Sequence, residues 1–138
     1  MSVSAYRLDH IGIAVSSIDQ ALGVYEAFGL KESGRELVES QAVRTAFLPL
    51  GETQLELIEP AGADSPVAKF LAKRGPGIHH VCFAVQDLES ALDDLKRRGF
   101  RLINENPVPG AAGKRVAFLH PSAGQGVLIE LSEAKRGS

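Results

Sequence analysis

Two histidines and two glutamates stand at matching places along this chain. His10 lies in Asp9-His10-Ile11-Gly12-Ile13-Ala14-Val15 and His80 in His79-His80-Val81-Cys82-Phe83-Ala84-Val85. Glu56 sits between Leu55 and Leu57, and Glu130 between Ile129 and Leu131. Strand alternation puts His10 on the side of Gly12 and Ala14, and His80 on the side of Cys82 and Ala84. A histidine beside such small residues leaves room for a ligand. Each glutamate points away from its large apolar neighbours, which pack under the helices. An inward carboxylate of this kind costs several kcal/mol unless a cation or a donor compensates it. Imidazole nitrogen and carboxylate oxygen in this mixture suit a divalent first-row cation, and octahedral geometry would leave positions open for a substrate. A lone strand histidine is more often a hydrogen-bonded structural group. Repetition of the pair favours the ligand reading.

The other polar candidates weigh differently. Arg44, Lys114 and Arg115 could bind a phosphate or carboxylate, although solvated charges at strand ends are the commoner case. His79 is placed for a supporting or entrance position, with a plain surface role as the alternative. Cys82 fits as a small residue beneath the site, since its counterpart Gly12 has no donor. His120 precedes Pro121 and reads as a turn residue. Gly110-Ala111-Ala112-Gly113-Lys114 is too short between its glycines for a P-loop and has no strand-to-helix turn around it.

The elements that must position these groups are themselves repeated. Leu8 to Leu30 aligns with Ile78 to Phe100 at a shift of 70 without a gap, with identities at His10/His80, Ala14/Ala84, Val15/Val85, Ala21/Ala91, Leu22/Leu92 and Gly29/Gly99. Phe47-Leu48 then matches Phe118-Leu119, and Leu55-Glu56-Leu57 matches Ile129-Glu130-Leu131, the drift coming from extra residues in the later loop. Leu8 to Val15 alternates as a strand. Ser17 to Gln20 has the form of a capping box, Ile18, Leu22 and Tyr25 recur at helical spacing, and Gly29 supplies a left-handed stop. In the second unit Asp87 caps, Leu88, Ala91, Leu92 and Leu95 form the stripe, and Gly99 ends it. Further strands are expected near Leu30 to Glu36, Gln41 to Pro49 and Thr53 to Glu59, then near Phe100 to Ile103, Lys114 to His120 and Gly126 to Leu131. The class is α+β. The expected architecture is two βαβββ modules in tandem, packed about a pseudo-twofold axis into an open, metal-holding barrel. A single domain spans 1–138, with module one at about 6–60, a linker helix at about 65–75 from Ser65-Pro66, and module two at about 77–132. Arg136 to Ser138 reads as a free tail.

Composition narrows the partners. The 138 residues are 44% apolar and 23% charged, with mean hydropathy near zero, enough for one core that buries roughly 70% of the unfolded chain's surface. Fifteen Lys and Arg against seventeen Asp and Glu give a net charge of -2, so no basic face exists for nucleic acid. Apolar runs such as Val127 to Ile129 are far below the roughly 18 residues of a membrane span, and Met1 to Tyr6 lacks a signal pattern. With the single cysteine Cys82, this points to a cytoplasmic protein without nucleic-acid or membrane partners.

Paired βαβββ modules carrying His, Glu, His and Glu resemble the vicinal oxygen chelate superfamily of glyoxalases, bleomycin-resistance proteins and dioxygenases. Asp9 to Val15, Leu55-Glu56-Leu57-Ile58-Glu59-Pro60, Gly77-Ile78-His79-His80-Val81, Phe118-Leu119-His120-Pro121 and Gly126 to Leu131 are similar to the methylmalonyl-CoA epimerase family within it. The resemblance implies the metal ligands His10, Glu56, His80 and Glu130, with Gln54 a nearby competitor for the second place. It implies a divalent ion (cobalt, zinc, manganese, nickel or magnesium), an acyl-CoA substrate, a homodimer, and interconversion of the 2R and 2S forms by 1,1-proton transfer through an enolate, in propionate metabolism. Glu130 takes the catalytic carboxylate position. Some of those epimerases carry a further, non-ligand Glu on the third strand of module one, where the aligned residue here is Arg44. Arg44, Lys114 and Arg115 are the expected substrate contacts. The alternatives are a glyoxalase-I-type lactoylglutathione lyase, which the four ligands also fit, and a metal-free binding protein of the same fold, which retention of all four argues against.

Overall fold

The computed structural model describes residues 6–133. The expected tail, Arg136 to Ser138, lies outside the described residues, as do positions 1–5. The described chain forms two compact units, residues 10–79 and residues 80–133 with 6–9.

In the first unit, β1 (Arg7–Ala14) leads into α1 (Ile18–Glu26), then β2 (Gly34–Val38), β3 (Val43–Leu50), β4 (Thr53–Pro60) and α2 (Pro66–Arg74). The strand order is β2-β3-β4-β1, antiparallel except that β1 and β4 run parallel. The helix starts where the sequence placed it: the Ser17 hydroxyl accepts the Gln20 N–H at 3.3 Å. It stops where Gly29 adopts φ +87° and the Leu30 N–H returns to the Tyr25 carbonyl. That closure occupies Leu30, so β2 begins at Gly34 instead of at Leu30. Ile18 and Leu22 of α1 bury against Val15, Ala46, Leu48 and Leu57. Each such side chain contributes about 1.5–3 kcal/mol of burial. The linker helix is present as α2, capped by the Ser65 hydroxyl on the Val67 N–H at 3.2 Å, with Val67 buried.

In the second unit, β5 (Gly77–Ala84, from His80 onward) leads into α3 (Leu88–Arg97), β6 (Val108–Pro109), β7 (Arg115–Phe118) and β8 (Leu128–Glu133). The order is β5-β8-β7-β6, with β5 and β8 parallel. Asp87 caps α3 through the Ser90 N–H at 3.1 Å. Leu88, Leu92, Ala117, Leu119 and Leu131 make its core, the repeat counterparts of Ile18, Leu22, Ala46, Leu48 and Leu57. One expected strand is corrected: Phe100 to Ile103 makes only a single bridge, Leu102 to Leu119. The Asn104 side chain accepts the Phe118 N–H at 2.9 Å, taking the place a strand carbonyl would fill. The second strand of this module forms later, at β6. No helix of the described residues is long and apolar enough to cross a membrane.

Candidate functional site

The strand register decides which side chains stand together. In the first unit His10 lies opposite Gln54, and Gly12 opposite Glu56. Facing residues of paired strands share a face, so His10, Gln54 and Glu56 line one side, and Gly12 on that side carries no side chain. His10 Nδ1 is 3.2 Å from Glu56 Oε2, both side chains being 7% exposed. The Gln54 amide donates to the same Oε2 at 2.8 Å.

The second unit repeats the pair with different surroundings. His80 lies opposite Leu128, and Cys82 opposite Glu130. His80 Nε2 is 3.2 Å from Glu130 Oε1, and both are buried. Phe118 stands across from Glu130, and its ring meets His80 edge to face at 6.3 Å. Glu56 and Glu130 therefore occupy equivalent register positions, and Gln54 corresponds to Leu128. Cys82 is fully buried where the other module has Gly12.

Each pair buries a carboxylate beside an imidazole, and a charge so removed from water requires a donor or cation beside it. The nitrogen and oxygen donors fit a divalent ion. All four residues are buried, at 5–7% exposure.

Two of the expected substrate contacts, Arg44 and Arg115, lie in ion pairs on the helix-covered face. Arg44 lies opposite Glu59, on the helix-covered face, with Nη1 3.6 Å from Glu59 Oε2. Arg115 lies opposite Glu133 on the equivalent face, its Nε and Nη2 donating to Glu133 Oε1 at 3.2 and 2.7 Å and its two Nη groups binding Glu89. Both glutamates cap helices: Glu59 Oε1 accepts the Ile18 N–H, and Glu133 Oε2 the Leu88 N–H, each at 2.7 Å. A carboxylate at a helix N-terminus meets unpaired N–H groups and the positive end of the dipole. The arginines hold these caps. The signal was present in the sequence, since Arg44-Thr45-Ala46-Phe47-Leu48 matches Arg115-Val116-Ala117-Phe118-Leu119 at a shift of 71.

The remaining candidates are placed as follows. Lys114 Nζ pairs with Asp9 at 2.9 Å. The His79 ring packs edge-on against Phe70, centroids 4.9 Å apart. His120 is the turn residue expected of it, its Nδ1 accepting the Ser122 N–H at 3.2 Å. A carboxylate that the sequence reading passed over shares the Glu56 face: Glu36, half-buried, lies opposite Thr45, which lies opposite Ile58.

Comparison with known proteins agrees with this geometry. The sequence pattern of the Glyoxalase/Bleomycin resistance protein/Dioxygenase superfamily matches residues 9–118. The chain belongs to that superfamily and, within it, to the methylmalonyl-CoA epimerase family. It is 48% identical over 130 residues to the uncharacterized protein YqjC of Bacillus subtilis, covering 94% of this chain and 93% of that one. To the mitochondrial methylmalonyl-CoA epimerase of Bos taurus it is 41% identical, covering 93% of this chain and 74% of the bovine one. A solved methylmalonyl-CoA epimerase in complex with methylmalonyl-CoA and NH4+ superposes with a TM-score of 0.91 at 37% identity, over 96% of each chain.

Proposed function

We propose that this chain is a metal-dependent epimerase that interconverts the 2R and 2S forms of methylmalonyl-CoA. The observation that carries the reading is the buried histidine–glutamate pair made twice at equivalent register positions, His10 with Glu56 and His80 with Glu130. Kinship with epimerases supplies the substrate. The four side chains are proposed to hold one divalent cation. When bound, such an ion supplies a Lewis acid to the thioester and carboxylate oxygens of the substrate.

The chain's own residues handle the proton. The carbon between a thioester and a carboxylate loses its proton to a base, and the resulting enolate is planar, so a proton returned on the other side inverts the centre. Glu130 is the proposed base on one side. Its cross-strand neighbour is Phe118, and its Oε1 lies 3.2 Å from His80 Nε2. Arg44 does not serve the other side, because it faces the helix. We assign the opposite acid/base to Glu36, the half-buried carboxylate on the Glu56 face. Glu56 binds without exchanging a proton. Lys114 is the proposed contact for the CoA phosphates, its ammonium held beside Asp9 at 2.9 Å. The assembly is proposed to be a homodimer.

The test is interconversion of purified 2R- and 2S-methylmalonyl-CoA by the protein with and without a chelator. The proposal expects turnover that chelation abolishes and that Co2+ restores. Turnover of a glutathione hemithioacetal in place of the CoA thioester would favour the lyase alternative.

A further inference from the structure

We infer that Gln54 is a positioning residue that holds Glu56 for the metal, and that it is not itself a ligand; this rests on the metal reading above. Gln54 lies opposite His10 in the β1–β4 register, so its amide and the imidazole approach Glu56 from the same face. Its Nε2 donates to Glu56 Oε2 at 2.8 Å, the oxygen that also lies 3.2 Å from His10 Nδ1. The direction of that bond follows from chemistry, because an ionised carboxylate only accepts. The amide nitrogen so turned cannot ligate a cation, and the register gives the ligand place to Glu56, since Gln54 corresponds to Leu128 and Glu56 to Glu130. Glu56 has a long side chain with several rotamers, and ordering such a chain costs conformational entropy. The Gln54 bond fixes one oxygen before any ion arrives.

The other module offers an internal control. Its equivalent position is Leu128, which has no donor, and its carboxylate is the one assigned to proton transfer. An amide bond that fixes a carboxylate is useful for a ligand and a hindrance for a base. Outer partners that orient metal ligands typically contribute 10- to 100-fold in affinity or activity.

The experiment uses Gln54→Met, which keeps the length and removes the donor. Co2+ is titrated into the metal-stripped full chain with a chromophoric competitor, and the visible spectrum of the loaded protein, kcat and KM are recorded beside the melting temperature. The inference expects Co2+ affinity to fall about tenfold or more with an altered spectrum, while the melting temperature and KM stay near the parent's. Gln54→Glu, which replaces the donor by a second acceptor beside Glu56, is expected to weaken Co2+ binding, whereas a side chain at 54 that itself ligated the ion would keep or strengthen it. Parental Co2+ affinity and spectrum in Gln54→Met, with Glu56→Gln still weakening binding, overturn the role of Gln54 alone. A parent that binds no Co2+ overturns both this inference and the metal reading. A parent that binds Co2+ and is weakened by Gln54→Met, yet leaves methylmalonyl-CoA unchanged, supports the role of Gln54 and refutes the epimerase reading.

Discussion

Module one and module two build the same histidine–glutamate pair and then treat its carboxylate differently. In module one the amide of Gln54 holds Glu56 Oε2 at 2.8 Å, and Gly12 stands opposite. In module two Leu128 and Phe118 flank Glu130, and Cys82 stands opposite. The helix side shows a parallel difference. Glu133 is nearly fully buried and is gripped by Arg115, which also binds Glu89 with both Nη groups. Its counterpart Glu59 is 22% exposed and meets Arg44 only at 3.6 Å, while Asp19, the counterpart of Glu89, is held by Arg35 instead. A repeat keeps its core because five equivalent apolar positions must fill the same space. Its polar fittings are freer to diverge, and divergence at a carboxylate is how two equal strands acquire unequal chemistry.

The comparison breaks most sharply at Glu130. Glu130→Gln keeps a carbonyl oxygen that can ligate but loses basicity, and turnover is expected to fall by about 10²- to 10⁴-fold with metal retained. Glu56→Gln, the same change in the other module, is expected to be milder in turnover and more costly in metal affinity. Equal losses in both variants would erase the division of roles.

Glu36 provides the next test. With Glu36→Gln, one epimer should still exchange its α-proton with solvent, while interconversion of the two falls about 10²-fold. Retained interconversion, measured by separating the epimers, would remove Glu36 from the site.

The helix caps predict an asymmetry in stability. Glu133→Ala should cost about 2 kcal/mol, because a buried charge-assisted bond to the Leu88 N–H is lost and Arg115 is left with Glu89 alone. Glu59→Ala should cost about 1 kcal/mol, the usual worth of a cap. Chemical denaturation of both variants checks the order.

The smallest effect belongs to an exposed pair found in module two only, Lys96 with Glu105 at 2.7 Å. The hydrogen bond from Lys96 lowers the Glu105 carboxyl below its ordinary value, and the bond to Glu105 raises the Lys96 ammonium. A depressed carboxylate contributes above its unfolded value and loses that contribution as the pH falls through the folded one. A raised lysine contributes below its unfolded value and loses it as the pH rises. The pair should therefore act over the neutral range, and the melting temperatures of the parent and Glu105→Gln should differ slightly at pH 7 and converge near pH 3.

Much of this arrangement was legible in the residues. The shift of 70 located both strand–helix units, their caps at Ser17 and Asp87, and the two histidines. Alternation placed Glu56 and Glu130 on the face away from Leu57 and Leu131, as the register confirms. What alternation could not supply was pairing across strands. Arg44 and Arg115 read as substrate contacts because a strand-end arginine looks alike from either face. Only their places opposite Glu59 and Glu133 reveal the helix caps they hold. Phe100 to Ile103 had strand composition, yet Asn104 ends its ladder with a side-chain bond that no propensity encodes. Gln54 was visible only as a rival ligand, since the direction of its amide is a property of the fold.

Incorporation of deuterium at the α-carbon of methylmalonyl-CoA in deuterated water, catalysed by Co2+-loaded parent and Co2+-loaded Glu130→Gln, tests the central claim most directly. Exchange is expected from the parent, and a rate at least about 10²-fold lower from the variant at equal Co2+ occupancy. Exchange at the parental rate in the loaded variant would contradict it, because the proton would then leave without Glu130.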